Sequence, residues 1–345
     1  MKKIFAVVFI IFSKISLLCA CTTFFINKNG QLIFGRNYDW VTDAGMVCTN
    51  LKGLFKTSMK EEGGETINWV SRYGSISFNQ YGKEFPTGGM NEKGLVVELM
   101  WLDGTKYPAV DKRPAVGVLQ WIQYQLDNCA TIEDVIATDK KLRIASAGNP
   151  PLHYLVADAN GRAATIEFLE GKMVIHQDKD LSLAVLTNNK YDESLNSFNN
   201  SSTHGNNSLE RFGQACKMIQ QLNTSTKPLV DYAFDILSKV SQGNFTKWSI
   251  VYDITNKTIR FRTNRFKEIK TLSFSLFDFS CTSTAKVWDM NQTATGNINQ
   301  LFENFTTAIN KRIIETAAKE SSSEVAISKE SQEALSKYPE GIKCH

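Results

Sequence analysis

The chain has 345 residues, of which 42% are hydrophobic, and its formal net charge is +4. Lys2, Lys3 and Lys14 carry three of those charges, so the rest of the chain is close to neutral and gives no argument for nucleic-acid binding. The seven cysteines are scattered without a C-x-x-C pair, which argues against a structural zinc site, and we expect no bound metal and no cofactor.

Residues 1–20 have the features of a secretory signal peptide. Two lysines precede an apolar run over residues 4–12, and Ala20 stands before the expected cut. This segment is too short for a membrane span and no other stretch approaches that length, so we expect an exported protein, periplasmic or secreted. One alternative is open: residues 18–21 loosely match a lipoprotein signal, in which Cys21 is lipidated and its amine acylated.

Cleavage after Ala20 makes Cys21 the first residue of the mature chain. It then carries a thiol and a free α-amine, with ordinary pKa values of ~8.5 and ~7.7–8.0, both near working pH. One residue can therefore supply a nucleophile and its own general base. Six cysteines remain after cleavage, so if Cys21 stays free at least one of the other five is unpaired within the chain. Their spacing does not reveal which of them form disulfides.

A β-hairpin is predicted directly after Cys21. Two β-prone runs flank Asn29 and Gly30, a pair that tolerates positive φ and is a strong hairpin signal. These runs are residues 22–27 and 31–36. The second strand brings Arg36 and Asp39 near Cys21, where Arg36 favours the thiolate and Asp39 accepts a hydrogen bond from the α-ammonium or orients the amine. The alternative interpretation is an ordinary edge hairpin with a surface ion pair.

Alternating and helical patterns continue along the rest of the chain. Strands are predicted at residues 66–70, 75–80, 94–102, 153–158, 163–169, 183–187, 248–253, 258–263 and 269–274. Helices are predicted at residues 114–128, from Thr131 onward, and at 209–222, 229–240 and 297–318. Residues 190–208 are predicted to form a polar loop, and residues 319–345 a loosely held polar tail. Residues 21–318 contain no repeat or linker, so we expect one α+β domain of two antiparallel sheets packed together with helices outside.

With these residues in view, the chain resembles the choloylglycine hydrolase family over most of residues 21–274. The matching pieces behind Cys21 are GRNYD at residues 35–39, GMNEKGL at 89–95, VLTNN at 185–189 and ERF at 210–212. The Gly-Arg-Asn-x-Asp run after an N-terminal cysteine is fairly specific, and the other pieces gain weight from their order. The family contains conjugated bile acid hydrolases and penicillin V acylases, which are N-terminal-nucleophile (Ntn) hydrolases with an αββα sandwich.

The resemblance implies an amidase that cleaves the linear carboxamide C–N bond of a small-molecule N-acyl substrate. It implies Cys21 as the nucleophile, Arg36 and Asp39 as its flanking charges, Asn188 as the oxyanion-hole amide and Arg211 as a second active-site arginine. An asparagine N–H suits that role because amide cleavage builds negative charge on the carbonyl oxygen. Without the resemblance, Asn188 is better interpreted as a turn residue and Arg211 as a solvated helix residue.

Trp101 stands where bile acid hydrolases of the family carry an asparagine. The resemblance implies that penicillin acylases use an aromatic residue there, whereas the simpler interpretation is a core aromatic on a strand. The 190–208 loop is shorter than in Gram-positive relatives, which use a longer insertion to form tetramers, so we expect only a possible homo-oligomer. These departures favour an exported, Gram-negative branch. We therefore expect Trp101 to bind substrate, and penicillin V or N-acyl homoserine lactones to be preferred over conjugated bile acids.

Two rival hypotheses remain open from the sequence. A Cys–His thiol protease needs a catalytic histidine, and none of the four histidines lies in a recognisable catalytic context. They are His153, His176, His204 and His345, of which the first two are predicted to be strand residues. A non-enzymatic surface lipoprotein would follow if Cys21 is lipidated. The sequence contains no H-E-x-x-H, G-x-x-x-x-G-K-[ST] or G-x-S-x-G motif.

Overall fold

Two large β-sheets lie face to face in the computed structural model, which describes residues 10–12, 21–203 and 205–345. The first sheet has seven strands, and its neighbours are antiparallel except for the last pair. In spatial order they are Val185–Leu186, Thr22–Lys28, Gln31–Asp39, Thr246–Asp253, Thr258–Thr263, Lys270–Ser273 and Gly296–Asn297. Cys21 directly precedes the second of these strands.

The second sheet has nine strands, all antiparallel to their neighbours. In spatial order they are Lys172–Gln177, Ala163–Leu169, Leu152–Ala157, Val96–Trp101, Pro86–Asn91, Ser75–Asn79, Met46–Asn50, Lys286–Asp289 and Glu303–Asn304. Apolar side chains fill the space between the two sheets. The ring of Phe78 in the second sheet meets the rings of Tyr252 and Phe261 in the first, both edge to face.

Helices cover the outer faces of both sheets. Val118–Asn128 packs on the second sheet and Leu229–Lys239 on the first, and each presents an apolar face to its sheet. The remaining α-helices are Ile132–Ala137, Tyr191–Asn199, Asn207–Gln220, Thr307–Glu320 and Lys329–Lys337. The layers therefore run helix, sheet, sheet, helix, and this confirms the predicted αββα sandwich.

The predicted hairpin after Cys21 is also confirmed. Thr22–Lys28 pairs with Gln31–Asp39 in antiparallel register, with Thr22 opposite Asn37. The turn needs two successive residues with positive φ, and Asn29 and Gly30 have φ values of 53° and 81°. The register places Cys21 beside the end of the strand that carries Asp39.

Two local predictions were wrong because they ignored capping and tertiary packing. Residues 190–208 are not all loop: Tyr191–Asn199 is a helix, and its first residue is fully buried. The predicted helix over residues 297–318 begins only at Thr307, because Thr306 caps it by accepting a hydrogen bond from the backbone N–H of Ile309. Short strands at Gly296–Asn297 and Glu303–Asn304 occupy the preceding residues.

The interpretation of residues 319–345 as a loosely held tail is corrected by the structure. These residues form the strand Val325–Ile327, the helix Lys329–Lys337 and the strand Lys343–Cys344, with buried side chains among them. Lys343–Cys344 joins a small sheet with Leu54–Thr57 and Asn68–Val70. A disulfide joins Cys281 to Cys344, with the Cα atoms 5.4 Å apart.

Four described cysteines are free and buried, and Cys21 is one of them; the others are Cys48, Cys129 and Cys216. Most of the predicted signal peptide, residues 1–9 and 13–20, lies outside the described residues. Its strand Ile10–Phe12 pairs with Val325–Ile327. A parallel pair, Ala115–Val116 with Arg143–Ile144, completes the strands that the structure describes. Among the described helices, none has both the length and the apolar character required to cross a bilayer.

Candidate active site

Cys21 lies at the inner end of the hairpin, and only 3% of its surface is exposed. Its Sγ is 3.8 Å from the backbone carbonyl oxygen of Asp39, which accepts a hydrogen bond from the thiol. Burial raises the pKa of the Cys21 thiol above its ordinary value. The positive charges of Arg36 and Arg211 lower this pKa, as expected for Arg36, because they favour the thiolate. The effect of burial is larger, so the net change is a rise.

Arg36 is fully buried and forms an ion pair with Glu98 across the two sheets. It also donates hydrogen bonds to the carbonyl oxygens of Thr87 at 2.9 Å and Leu99 at 3.3 Å. The alternative of an edge hairpin with a surface ion pair is therefore wrong for Arg36, whose ion pair is buried. Arg36 is a charge held inside the sandwich next to Cys21.

Glu98 is a residue that sequence reasoning missed. Its carboxylate also accepts a hydrogen bond from the hydroxyl of Tyr252, and burial raises its pKa to about 7 against the opposing charge of Arg36. Gly88 lies opposite Glu98 in the neighbouring strand, and a Cβ at Gly88 would overlap the carboxylate. The sequence did contain a signal for this role: Glu98 is the single acidic residue of the otherwise apolar strand Val96–Trp101. A charge on a buried strand requires a partner of opposite charge.

Asp39 is buried behind Cys21, with 1% of its surface exposed. Among the described residues, neither of its carboxylate oxygens has a well-aligned hydrogen-bond donor, although Thr246 lies near enough to lower its pKa. Burial is the larger effect and raises the pKa of Asp39 to about 7, against Thr246, Arg211 and Arg36. A buried acid of this kind is suited to accept a proton or a hydrogen bond near neutral pH.

Arg211 joins the N-terminal strand to the turn that carries Asn188. Its Nη1 donates to the carbonyl oxygen of Cys21 and to the hydroxyl of Thr22, both at 2.6 Å. Its Nη2 donates to Oδ1 of Asn188 at 2.8 Å, and its Nε to Oδ1 of Asn207 at 2.9 Å. Burial lowers the pKa of Arg211, but a guanidinium stays charged at working pH. Arg211 is therefore a buried connecting residue and not a solvated helix residue.

The side-chain amide of Asn188 has only one possible orientation. Its Oδ1 faces the donor Nη2 of Arg211, and its Nδ2 donates to the carbonyl oxygen of Trp101 at 2.8 Å. Because an arginine only donates and a carbonyl only accepts, a flipped amide would lose both bonds. The backbone N–H of Asn188 donates to the hydroxyl of Ser208 at 2.8 Å.

A buried His–Glu pair supports the same turn from behind, and it was also missed from the sequence. His153 lies in a strand as predicted, with Nε2 at 2.7 Å from the carbonyl oxygen of Thr187 and Nδ1 at 3.1 Å from Glu167. Glu167 also accepts from the backbone N–H of Tyr191 at 3.1 Å. The structure thus uses His153 to hold the segment before Asn188.

A cavity of about 140 Å³ opens beside Cys21. Its walls are mostly apolar, and Trp101 lies among them. Other apolar and aromatic residues of the lining include Trp40, Met59, Tyr81, Phe85, Leu99, Leu119, Leu152, Val325, Ile327 and Leu335. Glu61 is a carboxyl group in this lining, and burial raises its pKa to about 7 against a hydrogen bond from Asn149. Within the described residues, no group of three or more His, Cys, Asp or Glu side chains is arranged to hold a metal ion.

Comparison with known proteins gives results consistent with this geometry. The family described as linear amide C–N hydrolases, choloylglycine hydrolase family, matches residues 21–286. A penicillin V acylase of Pectobacterium atrosepticum is 31% identical over 208 residues, which are 53% of this chain and 52% of that protein. The chain thus spans about half the length of that curated relative in the alignment.

Solved structures extend the likeness over more of the chain. A penicillin V acylase from Agrobacterium tumefaciens has a TM-score of 0.72 and 26% identity, covering 83% of this chain and 98% of that chain. A mutant conjugated bile acid hydrolase from Clostridium perfringens has a TM-score of 0.66 and 15% identity, covering 80% and 98%, and this likeness concerns the fold alone. The family match begins at Cys21 and extends over most of the sandwich, and the chain therefore belongs to the choloylglycine hydrolase family of linear amide C–N hydrolases.

Proposed function

We propose that the chain, once residues 1–20 are removed, hydrolyses the linear carboxamide bond of N-acyl substrates with Cys21 as its nucleophile. The observation that carries this proposal is the shared contact of Arg211 with the carbonyl of Cys21 and the amide of Asn188, beside an apolar cavity. Arg211 thereby holds Cys21 and Asn188 together, and Cys21 also lines the cavity, which supports these roles.

In the proposed reaction, the free α-amine of Cys21 takes the thiol proton and the thiolate attacks the substrate carbonyl carbon. Asp39 lies behind Cys21 and accepts a hydrogen bond from the resulting α-ammonium, a pairing that lowers the pKa of this carboxyl. The α-ammonium then protonates the leaving nitrogen as the C–N bond breaks, which leaves a thioester on Cys21. Water then attacks the thioester while the α-amine takes its proton. The C–S bond breaks, the carboxylic acid leaves, and the proton on the α-ammonium returns to the sulfur of Cys21.

Asn188 is the proposed oxyanion donor. One hydrogen of Nδ2 is bound by the carbonyl of Trp101, and in the proposed reaction the second binds the substrate oxygen. Arg211 keeps Oδ1 turned away from that oxygen, so the donor is oriented before the negative charge develops. Such preorganised donors contribute more in a dry site than in water.

As the substrate we propose penicillin V or a medium-chain N-acyl homoserine lactone. Conjugated bile acids are the second candidate. Trp101 and its apolar neighbours favour an aromatic ring or a flexible alkyl chain, at ~25 cal/mol per Å² of buried apolar surface. Two relatives at 31% and 26% identity are penicillin V acylases, which supports this order. The test is to compare kcat/KM for penicillin V, octanoyl homoserine lactone and glycocholate on the mature chain. Glycocholate being hydrolysed best by tenfold or more would contradict the proposed substrate.

Export and processing are part of the same proposal. The disulfide between Cys281 and Cys344 supports an oxidising compartment, such as the periplasm or the exterior. Mass spectrometry of the mature N-terminus is the decisive measurement. A free Cys21 is expected. A lipid on its sulfur with an acylated amine would remove the general base and favour the surface lipoprotein.

A further inference from the structure

Residues 321–345 lie beyond the family match, which ends at residue 286, yet they contribute to the cavity beside Cys21. Val325, Ile327 and Leu335 are apolar side chains of this segment, and all three line that cavity. In the uncleaved chain they are 5%, 8% and 6% exposed, so there they face inward rather than into solvent. We call residues 321–345 the C-terminal wall.

We propose that the C-terminal wall selects the acyl group of the substrate by its length and apolar character. This inference rests on the proposed function, because it concerns the substrate of the same site. The wall adds three aliphatic side chains to the cavity and no charge, so it recognises a hydrocarbon and not a polar leaving group. Each methylene buried there contributes to the binding of a long acyl chain but not to that of a short one.

Contacts to aromatic residues of the cavity hold the C-terminal wall in place. The hydroxyl of Tyr81 donates to Ser321 at 3.0 Å and accepts from the indole N–H of Trp40 at 2.9 Å. The ring of Phe85 packs edge to face on Tyr338, with centroids 5.1 Å apart. Tyr81, Trp40 and Phe85 themselves line the cavity, so the wall and the rest of the site are packed as one unit.

The far end of the wall is fastened by a covalent bond and by hydrogen bonds. Cys344 is bonded to Cys281, and the strand Lys343–Cys344 pairs with Leu54–Thr57. The hydroxyl of Tyr338 donates to the carbonyl oxygen of Thr57 at 2.7 Å. The strand Ile10–Phe12 pairs with Val325–Ile327 in the uncleaved chain, but none of these fastening contacts involves it. The wall therefore remains attached after the leader is removed.

The experiment compares Leu335→Ala and Ile327→Ala with the unaltered mature enzyme on butanoyl, octanoyl and dodecanoyl homoserine lactones. We expect kcat/KM for the dodecanoyl substrate to fall roughly tenfold, or about 1.4 kcal/mol, through KM with kcat nearly unchanged. The butanoyl substrate should change by less than about twofold, since it has few methylenes to bury against the wall. Leu301→Ala is the control, because Leu301 is 54% exposed and outside the cavity lining.

An equal loss on all three substrates, or no loss on any, would overturn the assignment of the wall as an acyl selector. Leu335→Phe guards against misfolding of the alanine variants: by filling the cavity it should move the preference toward the butanoyl substrate. If no N-acyl compound is hydrolysed at all, the proposed function fails, and a binding measurement still tests the wall. In that case decanoate is titrated calorimetrically into the Cys21→Ala protein with and without Leu335→Ala. An unchanged Kd for decanoate would by itself refute the proposal that the C-terminal wall binds the acyl chain.

Discussion

Arg211 donates a hydrogen bond of 2.8 Å to the side-chain oxygen of Asn188, and the same guanidinium binds the backbone carbonyl of Cys21 at 2.6 Å. Cys21, which directly precedes the strand Thr22–Lys28, and Asn188, which follows the strand Val185–Leu186, are thus held by one rigid, planar group. A lysine at this position could reach one of these partners but not both in this geometry.

The first prediction concerns this connection. Asn188→Ala should lower kcat by roughly 10²–10³ if the amide donates to the oxyanion. Arg211→Lys should also lower kcat, and the double variant should lose much less than the product of the two single losses, because both act through one unit. Steady-state kinetics of the three variants measure this. Asn189→Ala is the neighbouring control, and a loss below tenfold for Asn188→Ala would reassign Asn188 to the turn alone.

The second prediction concerns the nucleophile. Cys21→Ala should abolish hydrolysis with an unchanged circular dichroism spectrum, and Cys21→Ser should be strongly impaired because a hydroxyl is a much poorer nucleophile. A chain that keeps residues 1–20 should be inactive, since an amide nitrogen replaces the basic amine. Cys48→Ala is the control: Cys48 is buried in the strand Met46–Asn50 of the second sheet, where burial raises the pKa of its thiol to about 12. Full turnover by the uncleaved chain would exclude the α-amine as the base.

The third prediction is a pH effect of Asp39 in a chain that retains one residue before Cys21. Burial raises the pKa of Asp39 to about 7, so the folded state prefers the protonated acid. The resulting stabilisation is fully present below the unfolded pKa of ~3.9 and is lost as pH rises through about 7. The free energy of unfolding should fall by roughly 4 kcal/mol at most over this range. Urea unfolding from pH 4 to 8 should show this loss relative to Asp39→Asn. Parallel curves for the two chains would show that Asp39 does not titrate in this range.

The fourth prediction tests the ion pair between Arg36 and Glu98. Glu98→Gln keeps the side-chain shape but leaves Arg36 buried without its counter-ion, and breaking such a pair costs about 3–5 kcal/mol of unfolding free energy. Lys52→Gln, in the partly exposed pair with Glu92, should cost about 0–1 kcal/mol and serves as the control. Equal losses in chemical denaturation would show that Glu98 is not the required partner of Arg36.

The fifth prediction treats His153 as a positioning residue. His153→Ala removes the donor to the carbonyl of Thr187, so the turn before Asn188 should loosen and kcat should fall roughly ten- to 10²-fold with a smaller change in KM. His153→Gln retains a donor and should recover part of the activity. In an Asn188→Ala background, His153→Ala should cause little further loss in kcat. A full additional loss there would mean that His153 acts elsewhere.

Local sequence signals were enough to predict the hairpin after Cys21. Asn29 and Gly30 adopt the positive φ values that a tight hairpin turn requires, and few other residue types do so without strain. The order of apolar and polar residues predicted the sheet and helix layers, because one buried face per element determines which layers form. Cys21, Arg36 and Asp39 lie within one hairpin, so their proximity followed from sequence spacing.

The rest depended on contacts between distant parts of the chain. Glu98 lies 62 positions from Arg36, and Arg211 lies 190 positions from Cys21, so no periodicity connects them. The helix Tyr191–Asn199 has a polar sequence, but its first residue, Tyr191, is fully buried. The C-terminal wall has the composition of a surface tail, yet the disulfide to Cys281 and the packing of Leu335 place it against the cavity. Only tertiary packing decides such placements, because the free energy of burial depends on which surfaces meet and not on the local sequence.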